Sequence, residues 1–193
     1  DVPTAINIAE ALAEYSPVWF EEPLPPESIG SLLTVKRRSP VRIATGERYY
    51  ELERFLDLVN QNAADYLQPD VCHVTGMGCL KTIAAVAAAK FIPVAPHNPM
   101  GPVANAMNVH VCATIPNLFL LETMISDVPW RREICRESVE YENGYVNVPD
   151  APGLGVDIDE EACEKYPTKP YQLAHYTGRL TDIRPPDSKY IWE

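Results

Sequence analysis

The sequence predicts an α/β fold, a run of about five parallel strands and their helices from a (β/α) barrel. Three observations carry that prediction. Short apolar runs alternate with helical stretches, the order of a parallel sheet covered by helices. No two-residue hairpin joins the runs before residue 123. The ionisable residues that end the five runs, Glu21, Glu47, Asp70, His97 and Glu122, are separated by 26, 23, 27 and 25 residues. A βα unit of nearly constant length is the repeat of such a barrel, and the carboxyl ends of its strands form the face that holds active sites.

Each element follows from local pattern. Residues 3–15 have helical apolar spacing with Pro3 near the start. The run 18–20 is a short strand ending in Glu21-Glu22-Pro23, and a proline-rich turn leads to a helix near 27–37. Residues 41–47 form the second strand, with Gly46 at its end, and 51–61 an amphipathic helix. Residues 64–70 form the third strand. After Gly76 and Gly78 comes an alanine-rich helix over 79–90. The fourth strand is 91–97. A helix over 101–115 follows, with Pro102 suited to its first turn. The fifth strand is 118–122. Beyond 123 the pattern changes: Asn143-Gly144 lies between two β-prone runs, a hairpin signal. A turn and a short helix are expected after it, then an extended tail rich in Pro, Tyr and charge.

Composition narrows the function classes. The chain is 193 residues long, 46% hydrophobic and 22% charged, which fits a globular protein with one sizeable core. A net charge of −11 argues against nucleic acid or an anionic membrane as main partner. No apolar stretch is long enough to span a bilayer, and no basic-then-apolar signal opens the sequence. Cys72, Cys79, Cys112, Cys135 and Cys163 are scattered and form no C-x-x-C pair. That spacing suits a reducing compartment, and a cytoplasmic location is expected. Cys72 beside His73 is too little for a zinc site. The first residue is Asp1, in what reads as mid-helix, so a longer protein is expected.

The strand ends carry the chemistry. Adjacent strands lie roughly 4.8 Å apart. If they pair in sequence order, Glu21 and Glu47 project side by side. Two such carboxylates repel, and a divalent cation relieves that; oxygen ligands on rigid strand ends suit Mg²⁺. Taken singly, either glutamate reads as a helix cap or a surface acid; their shared place in the repeat favours the metal. Asp70 and His97 are the next pair. A carboxylate beside an imidazole fixes its tautomer and raises its basicity, making an acid–base dyad. Alone, Asp70 reads as an Asx turn after Pro69 and His97 as a packed loop histidine. Glu122, beside His97, either hydrogen-bonds a substrate oxygen while protonated or lies as a surface acid on the barrel rim. His110, mid-helix among apolar residues, and His175, in the tail, read as structural.

Together these residues resemble the enolase superfamily, within it the mandelate racemase branch, and most of all galactonate dehydratase and related acid-sugar dehydratases. The motifs that carry the resemblance are WFEEPLPP (19–26), IATGERYY (43–50), YLQPDVCHVTGM (66–77), APHNPMGPVA (95–104), LLET (120–123) and NGYVNVPDAPGLGVDIDEEA (143–162). The resemblance implies the C-terminal part of a (β/α)7β TIM-like barrel, with residues 1–138 in the barrel. Residues 139–193 would be an extension that packs on the barrel and on an N-terminal capping domain absent from this chain. It implies Glu21 and Glu47 as Mg²⁺ ligands, His97 as the acid–base residue oriented by Asp70, and Glu122 as an aid at the developing enediolate or the metal-bound carboxylate. Family sites use a Lys or His base with Mg²⁺.

The implied reaction is dehydration of a small-molecule sugar acid: loss of the α-proton, departure of the β-hydroxyl as water, and a 2-keto-3-deoxy acid as product. A racemase or epimerase of a 2-hydroxy acid on the same scaffold, or a non-catalytic barrel fragment, are the alternatives. A third metal ligand, an Asp on the preceding strand, and a second base would both lie before Asp1. No nucleic acid or membrane partner is expected. A homo-oligomer is expected, with the N-terminal segment supplied by the same protein or another chain.

Overall fold

The chain is described by a computed structural model over residues 1–124, 130–137 and 139–167. Helix α1 (Val2–Leu12) is capped by Asp1, whose carboxylate accepts from the Thr4 N–H at 2.9 Å, with Pro3 in the first turn. A 3₁₀ turn, Ala13–Tyr15, closes the predicted helix, and Ser16 leaves it in the left-handed region, φ 47°. Strand β1 (Phe20–Glu21) follows, then α2 (Ile29–Arg38), whose N-cap Ser28 accepts from Ser31 N. Next come β2 (Ile43–Thr45), α3 (Leu52–Gln61), β3 (Tyr66–Leu67), α4 (Met77–Ala88) and α5 (Pro102–Cys112). Helix α3 ends on Asn62 in the left-handed conformation, a usual C-terminal stop.

The strands pair in sequence order and in parallel. Glu21 lies opposite Ala44 and Thr45 opposite Leu67. The predicted fourth and fifth strands extend the sheet only by single bridges: Leu67 to Val94, Asp70 to His97, and Val94 to Leu118. Pro93 and Pro96 are the reason. Proline has no N–H to donate, so a regular ladder cannot run through 91–97. The bonds that remain are made by its neighbours, Val94 N–H to Asn117 O at 2.8 Å and Ala95 N–H to Leu67 O at 2.9 Å.

Inside the sheet, Trp19, Tyr66 and Phe119 meet with ring centroids 4.9–6.0 Å apart. They come from the first, third and fifth strands. Side chains drawn from alternate strands form the layers of a (β/α) barrel interior. On the other face, α2, α3 and α4 bury Leu32, Val35, Phe55, Leu58, Leu80 and Ile83 against Ile43, Leu67 and Val94. This two-sided burial explains why the strands are short apolar runs rather than alternating ones.

The chain divides into two compact units, Asp1–Asp159 and Glu160–Glu193. In the first, α6 (Arg131–Ile134) leads into β4 (Cys135–Glu137), which pairs antiparallel with β7 (Val156–Ile158). That pairing, across residue 138, was not legible in the pattern. Between them β5 (Tyr141–Glu142) and β6 (Tyr145–Val146) form the predicted hairpin. Asn143 and Gly144 both have positive φ, 51° and 80°, as a type I′ turn requires. The second unit begins with α7 (Glu160–Lys165). The expected tail beyond residue 167, with His175, lies outside the described residues. Among those described, no helix is long and apolar enough to cross a membrane.

Candidate active site

The five strand ends bring their polar side chains toward one face. His97 stands at the centre. Its Nδ1 lies 2.8 Å from Asp70 Oδ2, and its Nε2 lies 3.1 Å from Glu47 Oε2. Asp70 is fully buried. Its other oxygen, Oδ1, accepts from the Cys72 N–H at 2.7 Å, which is an Asx turn. Asp70 therefore makes the Asx turn with one oxygen and meets the His97 imidazole with the other. A turn residue anchored in this way keeps Oδ2 aimed at the imidazole.

The charges follow from the contacts. Burial pushes the Asp70 carboxyl up, but the hydrogen bonds from His97 and the Cys72 N–H and the charges of His73 and His97 outweigh it, leaving the group below its ordinary value. Burial pulls the His97 imidazole down, but the bond to Asp70 and the charges of Glu47, Glu122 and Asp70 leave it above its ordinary value. Burial raises the Glu47 carboxyl; the His97 charge opposes this, and Glu22 and Glu21 add to the rise. Glu21, Glu22 and Glu47 are thus near enough to repel.

Glu47 is held through its backbone. Glu22, with φ 46°, turns out of the strand and accepts from Thr45 Oγ1 at 2.6 Å and from Gly46 N–H at 2.9 Å. Its other oxygen accepts from Arg48 Nε at 2.7 Å and makes an ion pair with the same guanidinium, which also donates to Leu24 O. From the other side, His73 Nδ1 donates to the Glu47 carbonyl at 2.7 Å, and its ring stacks on Tyr50. Of the two adjacent glutamates, the second therefore grips the loop and the first is left for the site.

Glu21 is exposed at the end of β1, and its Oε2 accepts from Trp19 Nε1 and from Gln68 Nε2, both at 2.8 Å. Glu122 sits close enough to His97 for its charge to act there, but its Oε2 accepts from the Asn98 N–H at 2.9 Å. Asn98 in turn donates to the Glu122 carbonyl and to Asn105 Oδ1, and Thr123 joins Asn105 to Tyr141. This network ties the His97 loop to α5 and the hairpin. His110 Nε2 donates to Leu154 O at 3.3 Å.

The structure thus puts Asp70, His97 and Glu47 in direct contact, with Glu21 and Glu122 beside them. Sequence reasoning missed Glu22, Arg48, His73, Gln68 and Asn98. Adjacency was the signal for three of them, Glu22 to Glu21, Arg48 to Glu47 and Asn98 to His97; His73 drew notice only beside Cys72, and Gln68 carried no signal. Among the described residues, no group of three His, Cys, Asp or Glu side chains is arranged to hold a metal ion. What the strand ends do offer a cation is an all-oxygen pair, Glu21 and Glu47, whose mutual repulsion a hard divalent ion relieves. The donor chemistry fits Mg²⁺ as an incomplete ligand set.

This architecture has counterparts among known proteins. Residues 1–162 match the family described as enolase C-terminal domain-like. The chain is 33% identical over 170 residues to the D-gluconate dehydratase of Thermoproteus tenax, a match covering 88% of this chain and 34% of that protein. The structure of a mandelate racemase/muconate lactonizing enzyme from Jannaschia sp. CCS1 is similar with a TM-score of 0.83 and 34% identity, over 89% of this chain and 44% of that one. The 3,6-anhydro-D-galactonate cycloisomerase from Zobellia galactanivorans is similar with a TM-score of 0.80 and 30% identity, over 88% and 48%. The chain spans less than half the length of each of these relatives. With its parallel strands in sequence order and its alternate-strand interior layer, the chain belongs to the enolase superfamily, as an enolase C-terminal domain-like α/β fold that makes up the C-terminal part of a TIM barrel.

Proposed function

We propose that the full-length protein is a Mg²⁺-dependent acid-sugar dehydratase acting on an aldonate of the galactonate or gluconate type. The observation that carries this reading is the placement of His97 between Asp70 and Glu47. Asp70 holds Nδ1 in its protonated form, so Nε2, which lies against Glu47, is the atom left to exchange a proton. A proton delivered from Nε2 to a departing β-hydroxyl lets it leave as water. The α-proton goes to a base outside this chain, and the electron pair of the broken C–H bond forms the new double bond, giving a 2-keto-3-deoxy acid on tautomerisation. Glu21 and Glu47 would hold the Mg²⁺, which when bound supplies positive charge against the substrate carboxylate. Glu122 and Asn98 tie down the His97 loop, and Glu122 would aid at the developing enediolate or the metal-bound carboxylate. The dehydratase name of the Thermoproteus tenax relative supports the same chemistry.

The test is a panel of aldonic acids with the full-length protein and Mg²⁺, read by semicarbazide for a keto acid. A positive product with one or more aldonates is expected. A change in optical rotation without keto acid would replace dehydration by racemisation or epimerisation, the second reading, which the mandelate racemase name of the Jannaschia structure favours. Failure of the full-length protein to bind Mg²⁺ in titration would remove both.

A further inference from the structure

The contacts of Glu21 assign a task to two residues that touch no reacting atom. Trp19 and Gln68 both donate to the same oxygen, Oε2, at 2.8 Å. An ionised carboxylate oxygen has two lone-pair sites, so Oε2 is filled and Oε1 is left. The arrangement comes from the barrel. Trp19 and Tyr66 meet at a tilt in one interior layer, and Glu21 and Gln68 lie two residues further along the same strands. Side chains two apart on a strand point the same way, so Gln68 reaches Glu21 across the interior, past β2.

Gln68 is an unusual choice for simple packing. It is only 6% exposed, and its Oε1 is buried with no hydrogen-bond partner among the described residues. A buried unpaired carbonyl costs stability, and a methionine of similar size would avoid it. What methionine would lack is the amide donor on Glu21.

We propose that Gln68, with Trp19, orients Glu21 so that Oε1 alone faces the cation, holding the site to one-oxygen ligation and so to Mg²⁺ over Ca²⁺. Mg²⁺ demands near-ideal octahedral geometry with compact single-oxygen ligands, whereas Ca²⁺ readily takes both oxygens of one carboxylate. Freeing Oε2 gives Ca²⁺ the second oxygen. Gln68 and Trp19 are positioning residues, and the inference rests on the reading of Glu21 as a Mg²⁺ ligand.

The experiment compares Gln68→Met with wild type in the full-length protein without substrate. Bound Mn²⁺ is displaced by Mg²⁺ and by Ca²⁺ to obtain the two affinities, and the thermal midpoint is read alongside. The expected result is a Mg²⁺ affinity lowered about ten-fold, the lower end of the effect usual for groups that orient a metal ligand. Ca²⁺ affinity should be held or raised, so the preference for Mg²⁺ narrows by at least that factor, with the midpoint unchanged or higher. An unchanged preference overturns the proposal, and so does a lower midpoint with the preference intact, because that is a packing role only. Wild type that binds no Mn²⁺ overturns the ligand reading of Glu21 itself. If Gln68→Met does not fold, Trp19→Phe removes the other donor, and the same narrowing is required of it.

Discussion

His97 Nε2 and a bound cation would compete for one carboxylate, Glu47, since the imidazole already lies 3.1 Å from Oε2. His97→Asn in the full-length protein should therefore abolish turnover while leaving Mg²⁺ affinity equal or tighter, read by steady-state assay and metal titration. Retained turnover would place the acid elsewhere. In the proposed mechanism Asp70 acts through His97. Asp70→Asn should lower kcat by about 10²–10⁴-fold, the usual contribution of a positioned acid–base group. It also has a stability signature. The carboxyl is held below its ordinary value in the fold, so its contribution is fully present above the unfolded value of about 3.9. That contribution is lost as pH falls through the folded value. The thermal midpoint of wild type should drop more steeply in acid below about pH 4 than that of Asp70→Asn.

The ends of β2 and β3 are brought together by a glycine. A Cβ built on Gly46, at φ 153°, would lie 2.6 Å from the backbone N and C of Gln68. Backbone cannot swing away as a flexible side chain can. Gly46→Ala should destabilise by more than about 2 kcal/mol in chemical denaturation, in the range of overpacked cores. It should also weaken metal binding, since it displaces Glu47 on one side and Gln68 on the other. Gly78→Ala is the control: it lies in α4 with nothing within 4 Å of its Cβ, and alanine favours the helix by up to about 1 kcal/mol. Strand length is decided at this scale too. Pro93 and Pro96 reduce the fourth strand to bridges, yet the Asp70–His97 bridge that sets the dyad survives.

At the scale of the whole molecule, the fifth strand and the start of the first carry apolar side chains that stay exposed, while Tyr66 of the interior layer is buried. Leu118, Phe119 and Leu120 are each about two-fifths exposed, and Val18 about half. Unpaired strand edges with apolar side chains invite association. Residues 1–193 produced alone should run as heterogeneous high-mass species on size exclusion and bind a hydrophobic dye, and the full-length protein should elute as one defined species and bind none. A well-behaved monomer from residues 1–193 would mean that this face is stable in water.

Much of this was decided by the sequence alone. The near-constant repeat, the apolar runs bounded by Gly and Pro, and the Asn-Gly turn are local signals, set by backbone sterics and hydrophobic periodicity. They were enough to align Glu21, Glu47, Asp70, His97 and Glu122 on one edge. Only the tertiary structure decided what each of them touches. The Glu22 grip on the β2 loop spans 23 to 26 residues, His73 reaches Glu47 across 26, and Gln68 reaches Glu21 across 47. No local pattern encodes such contacts. They exist because parallel strands set residues distant in sequence about 4.8 Å apart, and because a barrel turns alternate strands toward a shared interior.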